Sequence, residues 1–245
     1  MTASLPAWIV SMPCAHRGLH DLANGVPENT MSAFDAACAN GYPIELDVQR
    51  LGDGTVVVFH DYSLHRACGI DRRLSDVGWD DIADLRVFGS DQGIPRLRDV
   101  LAAVADRVPL LVEIKKGERD TGIETAVWRL LSRYEGDFAV QSFRPSVVQW
   151  FRARAPGAPV GQIAGPLSDG RVSFSKRIVS RWLLSVSVAR PDFINYDLRA
   201  LPFPWLEGLR HLTSIPVICW TVRTPADQEK AERFGLNYVF ENVRP

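Results

Sequence analysis

Short apolar runs alternate with amphipathic stretches along most of the chain. The runs are rich in Val, Ile and Phe, and most are fully apolar in their first half, which is typical of strands buried on both faces. Strands that alternate with helices indicate βαβ units and a parallel sheet. The predicted strands cover residues 8–14, 43–50, 55–60, 109–115, 138–143, 160–163, 192–197, 217–222 and 238–241.

The amphipathic stretches predict helices between these strands. Asn29-Thr30 can cap a helix over Met31–Ala39, and Gly41 can end it. Acidic residues in the first turn favour another helix at 226–234. The other predicted helices cover residues 97–108, 123–134, 146–155, 173–184 and 205–212.

One connection is too short for a parallel crossover. Only residues 51–54 separate the second predicted strand from the third, and they contain the turn pair Asp53-Gly54. A parallel crossover needs about a dozen residues or more, so these two strands are predicted to form an antiparallel hairpin. In the register that this loop predicts, Glu45 faces His60 and Asp47 faces Val58.

Without the return strand of the hairpin, eight parallel strands remain, which is the number that closes an α/β barrel. The sequence therefore predicts an α/β fold, a single (β/α)8 TIM-type barrel over residues 1–245. An extra β-hairpin follows strand 2, and a small insertion at 62–96 precedes strand 3. The length of 245 residues is that of one such barrel, typically about 250 residues.

Composition and charge exclude several other classes of protein. With 46% hydrophobic and 23% charged residues, the chain is neither disordered nor a coiled coil. Its 28 Lys and Arg nearly balance 29 Asp and Glu, so no basic field is present to hold nucleic acid. No apolar stretch is long enough for stable membrane insertion. Four isolated cysteines are expected to be free thiols, and the expected location is cytoplasmic.

Polar residues collect at the carboxyl ends of the predicted strands, the end that carries the active site in barrels. Glu45 and Asp47 alternate along one strand and so point to one face, and Glu113 and Lys115 repeat the arrangement. Three converging carboxylates repel one another unless positive charge lies between them. One hard divalent cation, Mg²⁺ or Ca²⁺, would supply it. The alternative is a set of ion pairs with Arg17 and Lys115.

Two histidines, His16 and His60, are also expected at this end of the barrel. With an ordinary pKa of about 6.5, such a pair suits general acid–base catalysis. The alternatives are histidines hydrogen-bonded in the core or bound to the metal. Together with a bound cation, Arg17 and Lys115 would form a pocket for an anion, most simply a phosphate.

Several short motifs follow one another in a fixed order. They are His16-Arg17-Gly18, Pro27-Glu28-Asn29-Thr30, Glu45-Leu46-Asp47-Val48, Asp53-Gly54, Val57-Val58-Phe59-His60-Asp61, Ile94-Pro95-x-Leu97, Glu113-Ile114-Lys115, Ser142-Phe143 and Trp220-Thr221-Val222. Together they resemble the glycerophosphodiester phosphodiesterase family. The resemblance covers nearly the whole chain and is densest from residue 15 to residue 115.

The resemblance implies a metal-dependent phosphodiesterase that hydrolyses glycerophosphodiesters to glycerol 3-phosphate and an alcohol. The implied roles are acid–base catalysis for His16 and His60, coordination of one Mg²⁺ or Ca²⁺ for Glu45, Asp47 and Glu113, phosphate binding for Arg17 and Lys115, an aromatic wall for Trp220 and support of the first loop for Glu28. The alternative for Trp220 is packing in the barrel core.

The chain departs from the family pattern near its C-terminus. Arg223 stands where the family usually has Asn, and Glu241 begins a segment where the family often has Thr-Asp-x-Pro. Two other functions stay open at this point, a phosphodiesterase of the same fold that acts on lysophospholipids or other head groups, and a non-catalytic phosphodiester-binding protein. The preferred alcohol, the choice between the two cations and the oligomeric state are not predicted.

Overall fold

The computed structural model describes residues 5–117, 120, 122–166 and 186–245. The helix predicted at 173–184 lies outside these residues. The chain divides into two units, Cys14–Phe138 (the first unit) and Ala139–Pro245 with the segment up to Pro13 (the second unit). None of the described helices has the length and apolar character needed to cross a bilayer. All four cysteines are free, as predicted.

The first unit is organised around a long central strand. Its strands are β1 (Cys14–His16), β2 (Ile44–Arg50), β3 (Val56–Val58) and β4 (Leu110–Ile114). β2 pairs in parallel with β1 and β4 and antiparallel with β3. In this register His16 lies beside Glu45, and Asp47 lies beside Glu113. The carboxyl ends of three parallel strands therefore meet at one edge.

The hairpin is present, but its predicted register is wrong by one residue. Val58 pairs with Val48 rather than with Asp47, and the Phe59 amide donates to the Asp47 carbonyl at 2.9 Å. The turn contains only residues 52–54, because the Leu51 amide already pairs with the Thr55 carbonyl. Gly54 has φ +93°, which fits the left-handed position that closes a three-residue hairpin loop.

The strand predicted at 8–14 is also wrong over most of its length. Residues Trp8–Ser11 form a short helix, and β1 begins only at Cys14. Ile9 is fully buried in this helix and Trp8 nearly so. A short apolar run buries equally well as helix or strand, so its hydrophobicity does not distinguish the two.

The longer helices lie where the sequence predicts them, with small differences at their ends. Met31–Ala39 has the predicted bounds, because the Thr30 hydroxyl accepts from the Ala33 amide and Gly41 follows at φ +72°. The helix predicted to reach residue 108 ends at Val104, where Ala105 takes φ +51°. The helix that ends at Val104 begins at Leu97, and the other longer helices are Ile123–Leu131, Pro145–Arg154, Pro204–Thr213 and Pro225–Arg233. The short helix Val186–Ala189 is not among the predicted ones.

The second unit contains five parallel strands in sequential order. They are β5 (Phe138–Ser142), β6 (Val160–Ala164), β7 (Phe193–Asp197), β8 (Val217–Val222) and β9 (Asn237–Phe240). Over the described residues of both units, eight strands run parallel and only β3 is antiparallel. The fold is therefore the predicted α/β class, a (β/α)8 barrel with one extra strand in a hairpin.

The segment 62–96 of the first unit has a small apolar core of its own. It contains the helices His65–Cys68 and Trp79–Ile82 and the 3₁₀ turn Leu74–Asp76. Its buried side chains pack together with three from the hairpin, so the segment is anchored on β2 and β3. We call this group the insertion cluster; it consists of Leu51, Val57, Phe59, Leu64, Ala67, Leu74, Val77, Ile82, Val87 and Ile94.

Candidate active site

Three buried carboxylates converge at the carboxyl end of the strands of the first unit. Glu45 and Asp47 come from β2 and Glu113 from β4, and ligand oxygens of all three lie within 4.8 Å of one another. Alternation along β2 places its two acidic side chains on the same face, as predicted. The parallel register then brings Glu113 beside Asp47. The sequence therefore predicts this cluster correctly.

Two cations lie against the same carboxylates. Lys115 Nζ is 3.2 Å from Glu113 Oε1 and 3.4 Å from Asp47 Oδ1. Arg17 Nε is 3.2 Å from Asp47 Oδ2. The ion pairs that the sequence offered as an alternative to a metal are thus present. Two cationic side chains thus face three carboxylates.

The pKa values of Asp47 and Glu45 are shifted in opposite directions. Burial alone would raise the pKa of Asp47, but the positive charges of Lys115 and Arg17 outweigh burial and hold it well below its usual value. Burial and the charges of Asp47 and Glu113 raise the pKa of Glu45 well above its usual value. Glu45 thus differs from Asp47 in that its ionised form is disfavoured in this site.

The donor set fits a hard divalent cation. Carboxylate oxygens are the preferred ligands of Mg²⁺ and Ca²⁺, and these carboxylates are already gathered within one coordination sphere. Burial, followed by the charges of Asp47 and Glu113, raises the pKa of Glu45, and a cation bound beside it would favour its ionised form. The three residues Glu45, Asp47 and Glu113 could therefore hold such an ion.

The loop after β1 brings Arg17 to the carboxylates through an unusual backbone conformation. Arg17 has φ +57°, and its amide donates to Glu45 Oε2 at 3.1 Å. Gly18 follows at φ +80° and lies so close to the helix Met31–Ala39 that a Cβ would be 2.8 Å from the Ala33 carbonyl carbon. The tight approach explains why a glycine follows the His-Arg pair.

The two predicted catalytic histidines both lie in the first unit. His16 Nε2 is 3.9 Å from Glu45 Oε2, and the His16 side chain is mostly buried. His60 follows β3 and is more open, with 31% of its side chain exposed. Its Nδ1 lies 2.6 Å from Asp61 Oδ1. The position of His60 therefore depends on side-chain contacts beyond the short ladder of β3.

Four residues for which no role is predicted from the sequence also shape this site. Asn29, at φ +55°, donates from Nδ2 to Asp47 Oδ2 at 2.9 Å. Gln49 Nε2 contacts the carbonyl oxygens of residues 59, 60 and 61 within 3.0 Å and so fixes the segment that carries His60.

The other two of these four residues are Asp61 and Arg66. Asp61 contacts His60, and Arg66 donates to Glu28. Asn29 and Asp61 stand inside the motifs, whereas nothing in the sequence marks Gln49 or Arg66.

Glu28, the predicted supporting residue, contacts two arginines. Its Oε1 accepts from Arg17 Nη1 at 2.8 Å and from Arg66 Nη2 at 2.7 Å. Burial would raise the pKa of Glu28, but hydrogen bonding and charge from Arg66 and Arg17 lower it. The carboxylate is therefore ionised near neutrality and contacts Arg17 Nη1, whereas Asp47 contacts Arg17 Nε.

Trp220 lies in the second unit, at β8. Its ring meets Phe143 edge to face, with ring centroids 5.5 Å apart. Its indole Nε1 is buried and makes no hydrogen bond to the described residues. Arg223 and Glu241, the two departures from the family pattern, form an ion pair with each other. The two residues that depart from the family pattern therefore carry opposite charges and pair with each other.

Comparison with known proteins gives a consistent assignment. Residues 16–243 match the glycerophosphoryl diester phosphodiesterase family. The chain is 36% identical to YhdW of Bacillus subtilis (strain 168) over 235 residues, which covers 92% of this chain and 91% of that protein. It is 27% identical to a glycerophosphodiester phosphodiesterase of Caldanaerobacter subterraneus subsp. tengcongensis over 236 residues, with 92% and 91% covered.

Solved structures agree on the fold. A phosphodiesterase of Oleispira antarctica, in complex with the product sn-glycerol-3-phosphate, is similar with a TM-score of 0.78 and 19% identity. The similarity covers 95% of this chain and 93% of that one. On the match of nearly its whole length, the chain belongs to the glycerophosphoryl diester phosphodiesterase family.

Proposed function

We propose that this protein hydrolyses glycerophosphodiesters to glycerol 3-phosphate and an alcohol. Family membership makes it a phosphoric diester hydrolase. The observation that carries the proposal is the cluster of Glu45, Asp47 and Glu113 with two cationic side chains against it. Such a cluster suits a doubly charged cation and an anionic substrate. A small glycerophosphodiester is a substrate of that kind.

One Mg²⁺ or Ca²⁺ would be held by Glu45, Asp47 and Glu113. When bound, the ion supplies positive charge that stabilises the charge developing on the phosphoryl oxygens. Arg17 and Lys115 lie beside these carboxylates. These two side chains would then bind the phosphate of the substrate.

His16 and His60 would transfer the protons. One histidine takes the proton of the nucleophile as its oxygen bonds to phosphorus, and the other gives a proton to the alkoxide as the phosphorus–oxygen bond to the alcohol breaks. The nucleophile is water or the 2-hydroxyl of the substrate's own glycerol. In the second case a cyclic phosphate forms first, so product analysis distinguishes the two routes.

Single alanine substitutions test the acid–base roles. His16→Ala and His60→Ala should each lower kcat on glycerophosphocholine by about 10²–10⁴-fold, the usual contribution of a positioned acid or base. His211→Ala is the matched control, because that histidine is exposed on the helix Pro204–Thr213. Near-normal turnover in either folded active-site variant would overturn the assignment.

Metal dependence has a test that does not rely on turnover. Addition of Mg²⁺ or Ca²⁺ to chelator-treated protein should raise Tm, since an ion that binds only the folded state stabilises it by about 2.7 kcal/mol at a hundredfold excess over Kd. Glu113→Gln should abolish most of this rise. A Tm that neither ion moves, together with full activity after chelation, would reject the metal role.

The activity on lysophospholipids is a less favoured alternative. It would need an apolar entry for an acyl chain, and the sequence offers two candidates for it, the pair at 87–88 and the segment at 201–205. Val87 is instead buried in the insertion cluster, and Phe88 packs against the same cluster. In the second candidate, Leu201 and Phe203 are buried and Trp205 is half exposed. Turnover of lysophosphatidylcholine above that of glycerophosphocholine would reverse this preference.

A further inference from the structure

The guanidinium of Arg66 lies between two carboxylates that belong to different loops. Arg66 Nε is 2.5 Å from Asp61 Oδ2, and its Nη2 is 2.7 Å from Glu28 Oε1. Asp61 follows β3, whereas Glu28 belongs to the loop after β1. The fork geometry of a guanidinium allows both contacts at once, which a lysine ammonium on a flexible stem does less well.

Each of these carboxylates also holds a residue with a proposed role in the reaction. Asp61 Oδ1 lies 2.6 Å from His60 Nδ1, and Glu28 Oε1 accepts from Arg17 Nη1 at 2.8 Å. An ionised carboxylate can only accept hydrogen bonds, so His60 Nδ1 must carry the proton of this contact. When the ring is neutral, its Nε2 is then the basic nitrogen.

The ionised state of Asp61 has a clear physical cause. Burial acts to raise the pKa of Asp61, but hydrogen bonds and charge from His60 and Arg66 outweigh it and hold the pKa well below its ordinary value. Arg66 is thus one of the two groups that keep Asp61 charged.

Arg66 itself is held in place by the segment 62–96. It lies on the helix His65–Cys68, and its guanidinium carbon is 5.1 Å from the ring centroid of Phe88. The Phe88 amide donates to the Ala67 carbonyl at 2.6 Å, which ties the ring to that helix. Although 46% of the Arg66 side chain is exposed, its head group has partners on three sides.

We propose that Arg66 is a positioning residue that holds His60 and Arg17 at a fixed distance from each other. Arg66 positions His60 through its contact with Asp61, and it positions Arg17 through its contact with Glu28. The segment 62–96 thereby contributes to the reaction a residue that does not touch the substrate. This inference rests on the proposed function, which gives His60 and Arg17 their tasks.

The kinetic test compares Arg66→Met and Arg66→Lys with the wild type on glycerophosphocholine. Arg66→Met should lower kcat by about 10–100-fold, since a displacement of about 1 Å in a reacting group costs a factor of that order. Arg66→Lys should recover only part of the loss, because an ammonium cannot serve both carboxylates as a fork. Arg72→Met is the matched control, because Arg72 forms an exposed ion pair with Asp81 in the same segment.

Further variants separate the effect of the contact between Arg66 and Asp61 from that of the contact between Arg66 and Glu28. Asp61→Asn should act mainly on kcat, Glu28→Gln mainly on KM, and Arg66→Met on both. The double variant of Asp61→Asn and Arg66→Met should lose less than the product of the two single losses, because both changes release the same histidine. Losses that multiply independently would overturn the proposal, as would unchanged kcat and KM in Arg66→Met.

A spectroscopic readout tests the contact without any turnover. In the wild type, the proton on His60 Nδ1 should give a downfield NMR resonance, assigned by its absence in His60→Gln. Arg66→Met should weaken or abolish this resonance, and Arg72→Met should leave it unchanged. A resonance that persists unaltered in Arg66→Met contradicts the proposal.

The two hypotheses fail in distinguishable ways. If the wild type does not hydrolyse any glycerophosphodiester, the proposed function fails, while the NMR experiment still reports on the Arg66 contact. If the wild type is active and Arg66→Met matches it, only the positioning role fails. Should Arg66→Met not fold, Arg66→Lys and Asp61→Asn carry the same kinetic and spectroscopic comparison.

Discussion

A methyl group added at Gly18 should destabilise the first unit through two separate effects. The residue has φ +80°, a conformation that costs alanine about 1–2 kcal/mol. The new Cβ would also be 2.8 Å from the Ala33 carbonyl carbon, with the Ala33 Cβ and carbonyl oxygen at 2.9 Å. Backbone and Cβ cannot swing aside, so overpacking adds about 1–3 kcal/mol. For Gly18→Ala we therefore expect a loss of about 2–5 kcal/mol in the free energy of unfolding, the sum of these two effects.

Thermal unfolding followed by far-UV circular dichroism measures this loss. In a chain of this length each kcal/mol lowers Tm by about 2–4 °C, so Tm should fall by about 4–20 °C. Gly25→Ala is the control, since Gly25 has φ +77° but no atom within 4 Å of the place that an added Cβ would take. This control should lose only the stability that its backbone conformation costs. Equal Tm values for the two variants would refute the role of the close approach.

Three further changes probe the site and the fold. Asn29→Ala removes the hydrogen bond to buried Asp47 and should cost about 1–3 kcal/mol in urea unfolding, with lower kcat; an unchanged unfolding midpoint would contradict this. Asp61→Asn should lower Tm near neutrality. Because the folded pKa of Asp61 is depressed, the Tm difference from the wild type should be full above about pH 5 and shrink as the pH falls further; a difference that grows in acid would reverse the sign. Thr224→Ala removes the cap of the helix Pro225–Arg233 and should cost about 1 kcal/mol by the same unfolding assay.

The parts of the fold that follow from local rules were predictable from the sequence. Met31–Ala39 has its capping threonine and a glycine just after it, and its bounds are as predicted. The carboxylates Glu45 and Asp47 share a face because strand side chains alternate, and that rule holds in any strand. The predicted meeting with Glu113 needs only parallel pairing of β2 with β4, which the pattern of strands and helices also indicates.

Other features of the structure could not be predicted because the sequence pattern fits more than one arrangement or does not mark the contact at all. Four loop residues in the hairpin allow closure with or without the pair Leu51–Thr55, and the two choices differ by one residue in register. The apolar run at 8–14 buries its side chains as a helix, which hydrophobicity alone does not reveal. The partners of Arg66 lie 5 and 38 positions away, and no local pattern marks such a contact.

The insertion cluster also bears on how this protein can vary over evolutionary time. Its apolar side chains come from residues 62–96 and from the hairpin, so it forms a packing interface distinct from the faces that the parallel strands bury. Substitutions on the exposed rim of the segment can therefore accumulate without disturbing that interface. Substitutions inside the cluster should instead displace the helix that carries Arg66, because Ala67 of that helix belongs to the cluster.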